Sequence, residues 1–238
     1  MGSSADWEPV VDDLSDGYFC ILIDLPGHGA STGRDAEAYT MDAAVQAVSG
    51  VLDAVECGPV GLLGYSMGGR VALRVALRHP DRVRRLVLES VSPGIANASE
   101  RSERRRIDDQ RARKIEADLP GFLRQWYRMP LFASLDRHGL VEAMVQQRGN
   151  NDPAEIARAL RGFSPGRQSP LWNDLGDLAM PTLLLTGGLD PKYPDVTARA
   201  AERIPKARRI IIPDAGHNVH AERPAAYRQA VRDFLDAG

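Results

Sequence analysis

The stretch Val60-Gly61-Leu62-Leu63-Gly64-Tyr65-Ser66-Met67-Gly68 decides the fold. Four apolar or small residues, the length of a short buried strand, run into Gly-x-Ser-x-Gly. Directly behind it Arg70-Val71-Ala72-Leu73-Arg74-Val75-Ala76-Leu77 has a helical pattern. The reading is strand, sharp turn, helix, with Ser66 at the apex. Such a turn lifts a serine hydroxyl above the end of a sheet, and the flanking glycines let the backbone pass closely. The amide of Met67, at the start of the helix, is then the candidate donor to a developing oxyanion.

The same alternation extends outward. Residues 4–15 read as a short helix with Trp7, Val10, Val11 and Leu14 on one face. Tyr18-Phe19-Cys20-Ile21-Leu22-Ile23-Asp24 reads as a fully buried strand ending in the turn Leu25-Pro26-Gly27-His28-Gly29. A helix is expected over 41–56, strands over 60–64, 83–89, 181–186 and 209–213, and helices over 67–78, 195–204 and 223–236. Short apolar strands alternating with helices predict a mostly parallel α/β sheet flanked by helices. Residues 94–170 break the rhythm, being rich in charge and helix formers with no β-like run. They predict an all-helical lid inserted between two parts of the core, 1–93 and 171–238, over the ends of the strands where such sheets bind ligands.

Bulk properties exclude several classes. The chain has 238 residues, 43% of them hydrophobic and 26% charged, with net charge −2. That balance gives no electrostatic case for nucleic acid or a membrane surface, and no apolar run approaches the ~18 residues of a span. The first residues, Met1-Gly2-Ser3-Ser4-Ala5-Asp6, lack the features of a signal peptide. Cys20, inside an apolar run, reads as a core residue; with Cys57 as its single companion, a disulfide is not expected and a reducing cytoplasm is.

A serine nucleophile or relay needs a base, and the base an orienting acid. In a fold with this elbow the chain order is serine, acid, histidine. Asp190 follows the strand at 181–186 through Gly187-Gly188-Leu189, and His217 follows the strand at 209–213 through Asp214-Ala215-Gly216. Both fall past the C-terminal end of a strand, the edge that carries Ser66. His220 lies one turn further on, His28 upstream of the serine, and His79 and His138 at helix ends. Asp195 and Asp214 are the rival acids, but Asp214 is too close in sequence to brace His217.

Arg70, four residues after Ser66, stands near one face of the elbow helix; it reads either as a structural arginine or as an anion clamp. Glu100-Arg101-Ser102-Glu103-Arg104-Arg105-Arg106 carries four arginines against two acids, and Arg148 ends another lid helix. A charge run is ordinarily a solvated face. Guanidinium groups, however, pair bidentately with carboxylates, so a lid with several arginines points to a polyanionic small molecule rather than a neutral ester.

The elbow, the Asp-x-Pro-Gly-His-Gly turn and the late Gly-His resemble the α/β-hydrolase superfamily. Ser92-Pro93-Gly94, Glu103-Arg104, Trp126-Tyr127, Pro130-Leu131-Phe132-Ala133-Ser134-Leu135 and Arg148-Gly149-Asn150-Asn151 narrow this. Together they are similar to the 2-succinyl-6-hydroxy-2,4-cyclohexadiene-1-carboxylate synthases of menaquinone biosynthesis, from about residue 2 to the end. The resemblance implies a lyase that eliminates pyruvate from a cyclohexene tricarboxylate, with Ser66, Asp190 and His217 catalytic and the Met67 amide in the oxyanion site. It implies carboxylate binding by Arg70, Arg104 and Arg148 and a pocket lined by Tyr65 and Trp126. No metal or cofactor is expected; the expected partner is a small-molecule polycarboxylate bound by a monomer, with no nucleic acid or membrane. A carboxylester or carbon–carbon hydrolase and an inactive relative are the alternatives.

The superfamily pattern places about three strands, and a His-Gly-Phe loop with a second oxyanion amide, ahead of the residues that match here. The chain is therefore expected to be N-terminally truncated, with a gap between the strand at 18–24 and that at 60–64. Such a chain should be poorly soluble or nearly inactive.

Overall fold

The structure is a computed structural model that describes residues 1–237. The chain divides into two compact units, Met1–Ala44 with Gly94–Pro170, and Val45–Pro93 with Leu171–Gly238. The helix Met41–Ala54 runs across the division between them.

The second unit holds a four-stranded parallel sheet in sequential order: β1 (Val60–Tyr65), β2 (Val83–Glu89), β3 (Thr182–Gly187) and β4 (Ala207–Ile212). Leu62, Leu63 and Gly64 pair with Leu86, Val87 and Leu88, and Leu86, Val87 and Leu88 pair in turn with Thr182, Leu183 and Leu184. β3 is buried along its whole length, as the continuous run Thr182-Leu183-Leu184-Leu185 requires of a strand covered on both faces. Each of these leucines contributes roughly 1.5–3 kcal/mol through removal from water. Helices Ser66–Arg78, Tyr193–Ala201 and Pro224–Asp236 supply the covering layers with Val71, Leu73, Val75, Val196, Tyr227, Val231 and Phe234, all buried. Because the strands are parallel, Tyr65, Glu89, Gly187 and Ile212 all lie at one edge of the sheet. The loops that leave that edge carry Ser66, Ser90, Asp190 and His217.

The first unit contains no strand among the described residues. Its long segment forms helices Ala98–Ala117, Leu119–Trp126, Ala133–Arg137, Val141–Gly149 and Pro153–Gly162. Side-chain caps start three of them. Asn97 Oδ1 accepts from the amides of Ser99 (2.8 Å) and Glu100 (3.2 Å), Asp118 Oδ1 from Gly121 (2.9 Å), and Asp152 Oδ1 from Ala154 (2.8 Å) and Glu155 (3.1 Å). Each cap satisfies amides that the first helical turn leaves unbonded. Ile115, Leu123, Leu135, Ile156 and Phe163 are buried within this unit, and the hydroxyl of Tyr39 donates to Glu155 Oε2.

Three expectations need correction. Residues 18–24 are not a buried strand: they make no ladder, Phe19 is 88% exposed and Leu22 39%. An apolar run becomes a strand only where a neighbouring backbone takes its N–H and C=O groups, and no described strand does so. Cys20 is accordingly only half-buried, not a core residue; both cysteines are free thiols. The third correction concerns the elbow glycines. A Cβ on Gly64 would stand 2.6 Å from Gly69 Cα, and one on Gly69 would overlap Val91 and lie 2.8 Å from Gly64 O; one on Gly68 would meet nothing within 4 Å. The missing side chains that the close approach needs are thus those of Gly64 and Gly69; Gly68 contributes backbone only, its carbonyl carbon 2.8 Å from where a Gly64 Cβ would stand.

Candidate active site

Ser66 adopts φ +47°, in the left-handed region that costs a residue bearing a Cβ of order 1–3 kcal/mol and persists where the surroundings enforce it. Enforcement comes from strand β1 ending at Tyr65, the helix beginning at Ser66, and the Gly64–Gly69 contact that locks strand to helix.

Ser66 Oγ lies 3.1 Å from His217 Nε2, and His217 Nδ1 lies 2.8 Å from Asp190 Oδ2. Since a carboxylate only accepts, the Nδ1 proton is donated to Asp190, which leaves the Nε2 lone pair facing the serine hydroxyl. Asp190 and His217 are both buried. Asp190 is itself fixed: its Oδ1 accepts from the amides of Lys192 (2.8 Å) and Tyr193 (2.9 Å) at the start of helix Tyr193–Ala201. The loop carrying His217 is tied by Glu222, whose Oε2 accepts from Gly216 N (2.7 Å) and Oε1 from Asn218 N (3.2 Å). A Cβ on Gly187 would overlap the carbonyl oxygens of Ala215 and Gly216, so the close passage of this loop over the end of β3 requires glycine there. The array has the hydrogen-bond connectivity of a serine–imidazole–carboxylate relay.

Rings pack around the imidazole. Tyr193 lies 4.8 Å from His217 between centroids and Tyr65 5.3 Å, and Tyr65 also meets His220 edge-on at 4.9 Å. His220 is buried and turned from the relay: its Nδ1 lies 3.0 and 2.8 Å from the two oxygens of Glu89, a fully buried carboxylate at the end of β2. Burial, and after it the neighbouring Glu89, pushes the Tyr227 hydroxyl well above its ordinary pKa. Arg70 is half-buried, on the helix that Ser66 opens. The rival acids stand outside this array: Asp214 pairs with Arg223, and Asp195 is exposed.

In the first unit the remaining candidates sit as follows. Arg104 is the member of the 101–106 run that turns to a buried carboxylate. Its Nε donates to Asp108 Oδ2 (2.8 Å), whereas Arg101 holds the carbonyls of Ile95 and Ala96, Arg105 is exposed and Arg106 pairs with Glu103 at the surface. Arg148 is buried, with Nη1 2.7 Å from Asp6 Oδ1 and donating to Gln147 Oε1 at 2.6 Å. It lines a cavity of about 230 Å³ with Gly29, Asn150 and Asn151. Trp126 stacks among Phe122 (5.5 Å) and Phe132 (5.7 Å), and the Arg111 guanidinium lies over its ring at 5.1 Å. His28 is buried, its Nδ1 3.2 Å from Pro26 O; burial holds its pKa down at about 3.

Sequence reasoning did not single out Tyr193, Glu222, Glu89, Asp108 or Arg111. Tyr193 and Glu222 were within reach, three and five residues from Asp190 and His217. The others find their partners across 56 and 131 residues of chain or carry no motif of their own. Among the described residues no group of three or more His, Cys, Asp or Glu is placed to hold a metal ion, and no helix is long and apolar enough to cross a membrane.

The family model for the alpha/beta hydrolase fold matches residues 1–224. The 2-succinyl-6-hydroxy-2,4-cyclohexadiene-1-carboxylate synthase of Pectobacterium atrosepticum is 35% identical, over 99% of this chain and 90% of its own length. Protein PHYLLO, chloroplastic, of Arabidopsis thaliana is 31% identical over 99% of this chain; the match spans 15% of that much longer protein. The structure of MenH from S. aureus superposes with a TM-score of 0.94 at 33% identity, covering 98% of this chain and 89% of that one. The chain belongs to the α/β-hydrolase family and, within it, to the 2-succinyl-6-hydroxy-2,4-cyclohexadiene-1-carboxylate synthases.

Proposed function

We propose that this chain eliminates pyruvate from 2-succinyl-5-enolpyruvyl-6-hydroxy-3-cyclohexene-1-carboxylate to give 2-succinyl-6-hydroxy-2,4-cyclohexadiene-1-carboxylate in menaquinone biosynthesis. The observation that carries it is an assembled relay, Ser66 to His217 to Asp190, in a chain 33–35% identical to bacterial synthases of that name. His217 Nε2 takes the Ser66 proton as Ser66 Oγ removes a proton from the ring. The proton lost is that on C2: the electron pair of its C–H bond becomes the C2=C3 double bond, the pair of the existing C3=C4 double bond moves to C4=C5, and the C5–O bond to the enolpyruvyl group breaks. The leaving enolate takes a proton back from the relay and ends as pyruvate. Asp190 holds the imidazole in the needed tautomer and balances its transient charge. The Met67 amide serves the developing enolate oxygen. Arg70, Arg104 and Arg148 bind the substrate's carboxylates, and Tyr65 and Trp126 line its pocket; Arg148 does so while already partnered by Asp6. No covalent intermediate and no cofactor enters this scheme.

We further infer a cytoplasmic monomer. The two free thiols support a reducing compartment, and a gel-filtration mass near 26.0 kDa is the expected result. The function is tested by supplying the tricarboxylate and following pyruvate with a coupled dehydrogenase. Pyruvate release without cleavage of simple esters is expected. Ester cleavage without pyruvate release would replace this reading with a hydrolase.

A further inference from the structure

Asp108 is a fully buried carboxylate on the helix Ala98–Ala117, and its partners are arginines one turn to either side. Its Oδ2 accepts from Arg104 Nε at 2.8 Å and from Ser164 Oγ at 2.7 Å, and its Oδ1 from Arg111 Nη1 at 3.1 Å. Residues 104, 108 and 111 follow i, i+4, i+7 spacing and so form one stripe of the helix. The stripe carries two positive charges against one negative, and neither guanidinium is fully buried: the side chains are 31% and 26% exposed. Arg104 uses only its Nε on Asp108, which leaves both its Nη groups to donate elsewhere. Arg111 is held at three points, by Asp108, by Met129 Sδ at 3.7 Å and by the face of Trp126 at 5.1 Å. A guanidinium held this way loses little rotamer freedom when it binds an anion, and pre-organisation of that kind raises affinity.

We propose that Asp108 is a positioning residue that presents Arg104 and Arg111 as a paired clamp for a dicarboxylate group, and that Arg111 is a further specificity-determining residue of the lid. The clamp takes a carbon chain ending in two carboxylates, the class to which the succinyl arm and ring carboxylate of the proposed substrate belong, so its role in turnover rests on the function proposed above. Ser164, buried and hydrogen-bonded to Asp108, fixes the carboxylate from a second segment of the same unit.

The test uses succinate as probe, with acetate as the single-carboxylate control, because succinate binding does not require that the chain turn over any substrate. The parent protein, Asp108→Asn, Arg111→Met and Arg111→Lys are titrated calorimetrically, and each variant's urea midpoint is measured alongside. Loss of one charge-assisted contact corresponds to roughly a 10-fold weakening or more. Succinate should bind the parent more tightly than acetate. Arg111→Met should weaken succinate about 10-fold and acetate less, and Arg111→Lys should recover part of the loss. Asp108→Asn should weaken succinate with little change in kcat for the tricarboxylate but a raised KM. If Asp108→Asn does not fold, the Arg111 pair decides by itself, since Met keeps the packing on Trp126. Equal binding of succinate by the parent and Arg111→Met, or no preference of the parent for succinate over acetate, would overturn the clamp. Failure to release pyruvate from the tricarboxylate, with succinate binding behaving as stated, would overturn the proposed reaction and leave the clamp standing.

Discussion

Replacing each glycine of the elbow with alanine should give opposite signs, and the contrast tests the packing of the strand–helix turn. Gly68 sits in the first turn of the helix Ser66–Arg78, and a Cβ there would meet nothing within 4 Å. Gly68→Ala should therefore stabilise the fold by roughly 0.5–1 kcal/mol, the usual difference in helix propensity. Gly69→Ala gains the same propensity, but its Cβ would overlap a methyl of Val91 and lie 2.8 Å from the carbonyl oxygen of Gly64. Val91 is itself buried, and the Gly64 carbonyl is backbone, so neither neighbour swings clear. Overpacking of this kind costs roughly 1–3 kcal/mol, leaving Gly69→Ala destabilised by about 0–2.5 kcal/mol and separated from Gly68→Ala by about 1–3 kcal/mol. The assay is urea unfolding at fixed pH with m-values compared. Val91→Ala in the Gly69→Ala background should return part of the loss, because it removes one of the two obstructions; the coupling in that cycle is then favourable. Equal stabilities for Gly68→Ala and Gly69→Ala would refute the packing argument, as would a double mutant whose losses simply add.

Ser66→Ala should abolish pyruvate release, and mass spectrometry of the parent during turnover should find no substrate-derived adduct on Ser66; a stable adduct would replace the base role with nucleophilic attack. His28 contributes an acid-sensitive term. Its folded pKa of about 3 lies below the ordinary value near 6.5, so its stability is complete above pH ~6.5 and is lost as pH falls toward 3, at up to ~1.4 kcal/mol per pH unit. The loss of unfolding free energy between pH 7 and pH 5, measured by urea unfolding, should be smaller by about 2 kcal/mol in His28→Asn than in the parent, and an unchanged difference would show the histidine already protonated in the folded state. Asp6→Asn should cost about 3–5 kcal/mol by leaving the buried Arg148 without its counter-charge; a loss below 1 kcal/mol would mean the guanidinium finds another anion.

What the sequence disclosed follows from how far apart the cooperating residues are. Ser66 is announced by five consecutive residues, and Asp190 and His217 each follow an apolar strand by a few residues, so local pattern and chain order suffice to name them as candidates. The run at 18–24 has the composition of a strand, but composition carries no information on whether another backbone lies alongside, and here none does. Asp108 looks like one more charge in a charged helix; its burial depends on Ser164, 56 residues away. Glu89 and His220, separated by 131 residues, meet because two strand ends share one edge of the sheet. The role of Gly69 was hidden for a related reason: the motif fixes attention on its own two glycines, while the partner that Gly64 meets without a side chain is the residue after the motif.

Tyr18-Phe19-Cys20-Ile21-Leu22-Ile23 is a six-residue window of strong β formers with no charge and no proline, and its backbone is engaged in no ladder. Such a window is the sequence signature of stacked cross-β assembly. Asp16 and Gly17 stand on one side, Asp24 and Pro26 on the other, in the places where natural sequences put gatekeepers. Asp24 is the stronger guard, since its carboxylate also holds the amides of Ser4 (2.7 Å) and Ala30 (2.9 Å) and so fixes the exit of the segment. In the double variant Asp16→Asn, Asp24→Asn both charged guards are removed together. Fibrillar material seeded from this window, carrying the ~4.7 Å strand repeat, would form there first, and Phe19→Lys would delay it.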